Sequence, residues 1–352
     1  MRLAPGSRLS SRREDCGIDL GVEGSTTTLD HPEGLVSVEE LGDGRRRVTI
    51  EEPRTYKSRS QWETAYPLNL IRAILGVKGA SYLCDEIQRE EDPNYVSLFL
   101  HYSLLGFLPE EDFNGARILD FGSGCGASTA ILSRMFPNAQ VVGVELVPEF
   151  IEIARARAEH YGLSKAEALH SPDPEHLPDG IGEFDFINLG AVYEHLLPAE
   201  RRRLLPQLWS VLNTGGVLFV NQLPHRYYMI EAHTTSLPLI NFLPDRAAYV
   251  AAKRFSKRVD PDATWPDLLR AGIRGGTERS ILRDIRSGGG DPDLLRPTRL
   301  GLSSHADLWC AYSTQRSPKL VKRVMRRAFQ AISALTGTSY APGLSCALRK
   351  RS

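Results

Sequence analysis

The first 60 residues carry no sustained apolar pattern. They are rich in Gly, Ser, Thr and charged residues, and only residues 35–50 alternate apolar and polar positions, on either side of an Asp-Gly pair. Such a pair is typical of the turn between two antiparallel strands, so this stretch predicts a hairpin. We expect residues 1–60 to be an extension that is partly disordered.

Apolar residues at helical spacing follow, from Tyr66 to Leu108. Pro67 and Pro93 stand where helices would begin, because proline suits the first helical turn. The pattern predicts two or three helices, which we expect to form a helical cap over residues 61–112.

From Arg117 onward, short apolar runs alternate with longer amphipathic segments. The predicted strands are 117–121, 140–145, 166–170, 184–189 and 216–221, and the predicted helices lie near 126–136, 148–161 and 199–212. This alternation predicts an α/β fold, with a doubly wound and mainly parallel sheet that has helices on both faces. Ligands of such folds bind at the carboxyl ends of the strands.

Three glycines, Gly122, Gly124 and Gly126, follow the first of these strands, which ends near Asp120. Glycine adopts positive φ and lets a ligand lie against the backbone, and the first amides of the next helix point into the same space. A phosphate and the carboxylate of an amino acid both suit such a turn. Asp120 favours an amino acid, because its negative charge would repel a pyrophosphate but attract the ammonium group of the amino acid.

Two further strand ends carry candidate binding residues. Glu145 ends the second strand about 20 residues after the glycine turn, the position from which a carboxylate accepts ribose hydroxyls. After the third strand, Asp173 can accept a hydrogen bond from an adenine amino group, and Pro174 can cover the ring. The alternatives are a solvated acidic residue and an ordinary Pro-rich turn.

The motifs of residues 117–222 occur in a defined order: D-x-G-x-G-x-G, an acidic end to the second strand, D-x-x-x-L-P, F-D-x-I-x-x-x-x-V-x-E-H-L and L-x-x-G-G. The ordered set resembles class I S-adenosylmethionine-dependent methyltransferases. More weakly, the segment after the fifth strand is similar to a bacterial subset that modifies small molecules or glycoconjugates. The resemblance implies a seven-stranded Rossmann-like sheet, with residues 343–350 as the last, antiparallel strand.

The resemblance also implies the domain boundaries and the cofactor, S-adenosylmethionine. Residues 113–352 would form the methyltransferase domain, with a cover inserted at about 223–295. Asp120 and the glycine turn would hold the methionine part, and Glu145 the ribose. Leu146 and Asp173 would hold the adenine, and Asn188 and Leu189 would line the sulfonium side. The implied cofactor-binding residues are Asp120, Gly122, Gly124, Gly126, Glu145, Leu146, Asp173, Pro174, Asn188 and Leu189.

Methyl transfer from a sulfonium is an in-line displacement, so a base is needed only if the acceptor must lose a proton. His195 and His233 stand on the two connections that flank the expected methyl group, and they are the catalytic candidates. The alternative for His195 is a histidine that supports its loop. The candidate residues for binding the acceptor, which we expect to be a small molecule or a glycoconjugate, are His225, Arg226, Tyr227 and Glu231.

Two other functions remain open at this point. A non-catalytic, regulatory protein that binds S-adenosylmethionine would share the cofactor residues. A nicotinamide-dependent dehydrogenase would require G-x-G-x-x-G, whereas this chain offers only G-x-G-x-x-A, at Gly122, Gly124 and Ala127. That function would also leave the segments around Asp173 and Tyr193 unexplained.

The composition of the chain limits the kinds of partner that the sequence predicts. The formal net charge is zero, with 43 basic and 43 acidic residues, which argues against a nucleic-acid partner. The five cysteines are scattered and form no C-x-x-C pair, so the sequence predicts neither a disulfide framework nor a metal site. Without an apolar run of roughly 18 residues or a secretory signal, we expect a cytoplasmic protein with no membrane span.

The last part of the chain is basic, with nine Lys or Arg and no Asp or Glu from Arg316 onward. Residues 319–335 have apolar residues at helical spacing and gather basic residues on another face. The simpler interpretation is a helix that packs on the domain with a solvated basic side. The alternative is peripheral contact with an anionic acceptor or lipid surface.

Overall fold

The computed structural model describes residues 26–51, 59–313 and 319–351. The first 25 residues, for which disorder is predicted, lie outside the described residues. Among those that are described, no helix combines the length and the apolarity needed to cross a bilayer.

The described chain begins with a four-stranded antiparallel sheet in the order β1-β2-β3-β4. Its strands are β1 (Thr26–Leu29), β2 (Leu35–Glu40), β3 (Arg46–Glu51) and β4 (Gln61–Thr64). The predicted hairpin is confirmed as β2 and β3, where Val36 pairs with Ile50 and Val38 pairs with Val48. These four side chains are buried, so alternation places one face of the sheet in a core.

Three helices follow, as the apolar spacing predicts: α1 (Leu68–Lys78), α2 (Ala80–Glu91) and α3 (Val96–Leu105). The first two share one apolar core with the four-stranded sheet, and this core also contains Cys125 and Phe150 of the chain that follows. Extension and cap are therefore packed together against the region of the glycine turn.

The main sheet has seven strands in the order β12-β13-β9-β8-β5-β6-β7. They are β5 (Arg117–Phe121), β6 (Gln140–Glu145), β7 (Ala166–His170), β8 (Phe184–Gly190), β9 (Leu212–Pro224), β12 (Pro292–Leu294) and β13 (Gly343–Lys350). The first five are parallel, and β13 runs antiparallel to β9 and to β12. The predicted fold class is confirmed, including the antiparallel last strand.

Three helices cross over between the parallel strands: α4 (Ala127–Met135), α5 (Pro148–His160) and α6 (Pro198–Ser210). The chain builds β5, β6 and β7 outward in one direction and then returns to add β8 and β9 on the other side of β5. The strand order therefore reverses between β5 and β8. Ligands of doubly wound sheets bind in the crevice at such a reversal, beyond the carboxyl ends of the strands.

The segment between β9 and β12 spans most of residues 223–295, where the cover is predicted. It contains two short paired strands and three helices: β10 (Ile230–Glu231), β11 (Leu237–Pro238), α7 (Asp245–Phe255), α8 (Trp265–Arg270) and α9 (Glu278–Arg286). Much of it has its own apolar core, which includes Ile240 and Leu268. The last two helices are α10 (His305–Tyr312) and α11 (Lys319–Thr336).

Candidate active site

The glycine turn joins β5 to α4. Gly122, Gly124 and Gly126 have φ angles of +72°, +56° and +80°. A β-carbon at Gly122 would lie 2.5 Å from Val192, and one at Gly126 would lie 2.6 Å from Ala154, whereas one at Gly124 would meet nothing within 4 Å. The outer two glycines thus permit close packing, while the backbone at the middle one borders open space.

Asp120 lies at the end of β5 and is 1% exposed. One carboxylate oxygen accepts hydrogen bonds from Ser128 at 2.6 Å and Thr129 at 2.7 Å, and the other accepts from the Asn188 amide at 2.8 Å. Burial raises the pKa of Asp120, and the three hydrogen bonds oppose this shift. The carboxylate therefore ties β5 to the first turn of α4 and to β8.

A chain of polar side chains continues along the same edge. The Asn221 amide, on β9, donates to the Asn188 side-chain oxygen at 3.0 Å. The other side-chain atom of Asn221, Oδ1, is buried and has no hydrogen-bond partner among the described residues. Asn221 was not predicted as a site residue, although Asn221, like Asn188, lies near the carboxyl end of a parallel strand. Leu189, next to Asn188, is fully buried in the core of the sheet.

Glu145 ends β6 and reaches the glycine turn. Its Oε2 accepts the Gly124 amide hydrogen at 2.9 Å, and its Oε1 accepts from the amides of Leu146 at 2.8 Å and Val147 at 3.2 Å. The carboxylate is half-buried, and Leu146 is exposed. Since a carboxylate has about four lone-pair positions, Glu145 retains the capacity to accept from a ligand beside Gly124.

Asp173 follows β7 and holds a local turn. Its carboxylate accepts from the Glu175 amide at 2.7 Å and lies 2.8 Å from Nδ1 of His176. The backbone hydrogen bond, followed by the one with His176, lowers the pKa of Asp173. Pro174 is half-buried beside it. On the same side of the sheet, His170 Nε2 lies 3.1 Å from the Leu146 carbonyl and links the ends of β6 and β7.

The loop after β8 and the cover bring three more polar side chains together. Nδ1 of His195 lies 2.6 Å from the Arg270 carbonyl, and Nδ1 of His233 lies 2.9 Å from the Ala271 carbonyl. The two rings are 5.3 Å apart between centroids. Because a carbonyl only accepts, each Nδ1 carries the hydrogen, and each Nε2 presents a lone pair.

Burial dominates the electrostatics of this group. It lowers the pKa of His195 to about 4 and also lowers that of His233. Glu194, beside His195, is 1% exposed, and neither of its carboxylate oxygens has a hydrogen-bond partner among the described residues. Burial raises the pKa of Glu194 to about 8. Glu194 belongs to one of the sequence motifs but was not predicted as a site residue.

A cavity of about 420 Å³ lies beyond the carboxyl end of β9, between α3 and the cover. Three of the predicted acceptor-side residues, His225, Glu231 and His233, line it. Arg226 and Tyr227 are not among the described residues of its lining. The Arg226 guanidinium instead donates to the Asn241 carbonyl, and Tyr227 is 49% exposed.

Glu231 fixes the turn that carries His233. Its Oε1 accepts from the amides of His233 and Thr234 at 2.9 Å, and its Oε2 accepts from the amide and hydroxyl of Thr235. Four hydrogen bonds thus hold this carboxylate against the backbone. The geometry gives Glu231 a part in positioning His233.

Residues 118–216 match the family described as "Methyltransferase domain". This part of the chain is a class I S-adenosylmethionine-dependent methyltransferase domain. The predicted family and its cofactor, S-adenosylmethionine, are confirmed, and the match does not favour a nicotinamide-dependent dehydrogenase.

Among curated relatives, the chain is similar to a trans-aconitate 2-methyltransferase of Methylobacterium radiotolerans, with 33% identity over 43% of this chain and 55% of the relative. It is also similar to a demethylmenaquinone methyltransferase of Thermus thermophilus, with 34% identity over 31% and 47% of the two chains. The chain spans about half the length of these relatives. A solved structure of PKMT2 from Rickettsia typhi with AdoHcy shares 17% identity at a TM-score of 0.42, over 72% of this chain and 52% of that one.

Proposed function

We propose that this protein transfers the methyl group of S-adenosylmethionine to a small anionic molecule bound in the cavity beyond β9. The observation that carries the proposal is the position of this cavity. It lies at the carboxyl end of β9, one of the parallel strands whose ends form the ligand-binding edge of a doubly wound sheet, and His233 lines it. Its volume, about 420 Å³, is within the range typical of sites for small ligands.

The cofactor side of the proposal rests on residues at the strand ends. S-adenosylmethionine would supply an electrophilic methyl group on its sulfonium. The open backbone at Gly124 leaves room for the methionine part, and Glu145 retains lone pairs for ribose hydroxyls. The orphaned Oδ1 of Asn221 offers an acceptor to a donor such as the ammonium group. Asp120 would act mainly by holding the turn, and Leu146, Asp173 and Pro174 would border the adenine.

The acceptor side is supported by a buried guanidinium that has one unused donor. Arg274 lines the cavity, is 7% exposed, and has a buried Nε without a hydrogen-bond partner among the described residues. One of its other guanidinium nitrogens pairs with Asp245 at 2.7 Å. The Nε hydrogen of Arg274 is the donor that favours a carboxylate or another oxyanion in the ligand. The name of the trans-aconitate 2-methyltransferase relatives agrees with a small carboxylic acid.

The two histidines belong to this side of the site in our proposal. Their Nε2 lone pairs are open to a proton or to another electron-pair acceptor, and His195 and His233 are held by carbonyls of the cover. We expect their loss to affect turnover more than the affinity for S-adenosylmethionine.

Release of S-adenosylhomocysteine with a panel of acceptors tests the proposal. The panel comprises small di- and tricarboxylic acids, their neutral esters and acidic glycoconjugates, each with the unmodified chain. Release that requires a free carboxylate supports a small anionic acceptor, whereas release only with glycoconjugates supports that alternative. Cofactor binding without turnover on any member of the panel supports a regulatory protein.

We also propose that the outer face of α11 contacts an anionic lipid surface. The helix packs inward through Phe329, whose ring meets Trp309. Leu320, Val324 and Leu335 lie on the outer face and are 67%, 60% and 87% exposed. Arg323 and Arg327 flank this apolar stripe, an arrangement typical of helices that lie in a membrane interface.

A cytoplasmic location forms part of the proposal. It is supported by the cysteines, because Cys84, Cys125, Cys310 and Cys346 are all free. Free thiols persist in a reducing compartment.

A further inference from the structure

Glu194, His195 and His233 form a compact group of potential metal ligands. One donor atom from each of the three residues can be chosen so that all lie within 4.8 Å of one another. The Nε2 of His195 is 3.9 Å from a carboxylate oxygen of Glu194. An ion about 2.1 Å from each donor would draw the donors to roughly 3.4 Å of one another, a movement within the reach of side-chain rotation.

Both histidines are oriented as metal-binding histidines usually are. A ligating imidazole typically donates its other ring N–H to a carbonyl or carboxylate, which fixes the tautomer and the direction of the lone pair. Here the carbonyls of consecutive residues, Arg270 and Ala271, accept from Nδ1 of His195 and His233. The Arg270 side chain in turn binds Glu200 at 2.7 Å, so the segment that holds both rings is anchored to α6.

Glu194 supplies an independent observation. Its carboxylate is almost completely buried, and among the described residues no donor reaches either oxygen. A buried carboxylate without a partner is costly, and native proteins usually provide it with a hydrogen bond, an ion pair or a metal. The unprotonated Nε2 of His195 cannot donate to it, and at 3.9 Å it is also too distant to accept a hydrogen bond from it.

The packing around the group leaves one side open. A β-carbon at Gly272 would lie 2.7 Å from the His233 ring and 3.3 Å from Glu194 Cγ, so the backbone closes tightly over the group there. His233, in contrast, also lines the cavity beyond β9. Three protein ligands with an open position toward a substrate cavity are the arrangement of a catalytic metal site.

We propose that Glu194, His195 and His233 bind a divalent first-row transition metal ion at the edge of the acceptor cavity. Two imidazoles and one carboxylate suit zinc, iron, cobalt, nickel or manganese better than magnesium or calcium, which prefer oxygen ligands. The site departs from the sequence expectation of no metal. The histidines then act as ligands, and the open position takes an oxygen atom of the acceptor, a role that rests on the proposed function.

Metal binding can be measured without any acceptor. The full chain, prepared without a histidine tag and stripped with a chelator, is titrated calorimetrically with Zn²⁺ and Mn²⁺ and spectroscopically with Co²⁺. We expect one ion per chain and a Co²⁺ visible spectrum typical of nitrogen and oxygen ligands. His195→Ala, His233→Ala and Glu194→Gln should each weaken binding about 100-fold, because even outer-sphere changes cost about 10- to 100-fold.

His101→Ala serves as the matched control, since His101 is an exposed histidine of α3. It should bind metal as the unmodified chain does. The Co²⁺ spectrum of the unmodified chain tests the site even if a variant does not fold. A thiolate charge-transfer band, no binding at one ion per chain, or equal binding by folded His195→Ala and His233→Ala variants would each overturn the proposal. If the chain binds metal as expected but transfers no methyl group to any acceptor, the metal site stands and the proposed function is wrong.

Discussion

Buried polar side chains converge where the parallel strands end. Asp120, Asn188 and Asn221 come from three neighbouring strands and join through two amide hydrogen bonds of 2.8 and 3.0 Å. Because these groups are removed from water, each hydrogen bond restricts its neighbours strongly. The chain of contacts fixes the floor of the crevice while leaving the backbone at Gly124 and the Asn221 oxygen available to a ligand.

Replacing Glu145 with alanine tests the cofactor side at this scale. We expect the affinity for S-adenosylhomocysteine to fall by about tenfold or more, since each lost hydrogen bond to a carboxylate is worth roughly 1.5–3 kcal/mol. Isothermal calorimetry measures the change. Glu149→Ala, an exposed residue at the start of α5, is the control that should bind normally. Equal affinity for the two variants would remove Glu145 from the cofactor site.

Single residues differ in how far the sequence could identify them. The glycines and Glu145 could be chosen as candidates because the features that suggest them are a local turn and the end of one strand. Glu194 was missed because its isolation is a tertiary effect. The segment from Arg270 to Gly272, about 75 residues later, buries it and directs both histidines toward it.

The secondary-structure elements are joined by a buried ionic cluster between the cap and the domain. Arg157 of α5 is fully buried, donates to the Cys125 carbonyl at 2.7 Å, and lies 3.4 Å from the Glu86 carboxylate of α2. Glu90, also on α2, accepts from the Tyr66 hydroxyl. Since Cys125 lies within the glycine turn, this cluster couples the cap to the turn.

Arg157→Ala should therefore destabilise the protein and weaken cofactor binding together. Removing one partner from a buried pair typically costs about 3–5 kcal/mol, because the remaining carboxylate stays buried. Here Glu86 would keep only a 3.8 Å contact with Lys78. Denaturant unfolding and calorimetry with S-adenosylhomocysteine measure the two effects. Arg155→Ala, two residues earlier on the same helix, removes an exposed pair with Glu152 and one hydrogen bond to the Ala168 carbonyl. It should cost no more than about 1–2 kcal/mol of stability and leave cofactor binding unchanged. A stable Arg157→Ala variant would refute the coupling.

The outer face of α11 gives a second test at the scale of elements. With Arg323 and Arg327 replaced by glutamine, affinity for vesicles that contain anionic lipid should fall about 30-fold, since each basic residue near the surface contributes about 1 kcal/mol. Vesicle sedimentation at low and moderate salt measures it. Arg279 and Arg299, both exposed elsewhere, provide a control pair with the same charge change. Equal loss in both pairs, or no binding by the unmodified chain, would leave α11 a structural helix.

Elements with strong periodicity were predicted well, and short ones were not. The helices α4, α5 and α6 lie within two residues of their predicted ends, because apolar spacing and proline mark them. The edge strand β12 has only three residues and pairs with β13 alone. Three residues are too few to show the alternation of apolar and polar positions that predicts a strand. Likewise, β1 and β4 are strands because they pair with β2 and β3 of the predicted hairpin. Their own sequences do not show that pairing.

In the whole molecule, the strand order reverses between β5 and β8. Motifs spread from Asp120 to Asn221 meet along one edge of the sheet because parallel strands end there. The sequence could therefore predict the fold, and the residues proposed for the cofactor follow from it. The cavity beyond β9, which we propose for the acceptor, could not be predicted, since its walls come from α3, the cover and the segments before β13, which approach one another only in the folded chain.

Measuring methyl transfer after the cavity beyond β9 has been filled tests whether the acceptor binds there. Ala232 lines the cavity, and Ala232→Trp would occupy it without touching the glycine turn. With isotopically labelled S-adenosylmethionine and the carboxylic acid panel, mass spectrometry should show one labelled methyl group per acceptor for the unmodified chain. The variant should lose at least about 90% of this turnover and retain its affinity for the cofactor, because the displacement requires the acceptor to be held in line with the methyl group. Undiminished turnover by Ala232→Trp would show that the acceptor does not bind in this cavity. Failure of the unmodified chain to bind S-adenosylmethionine would contradict the proposed methyl transfer.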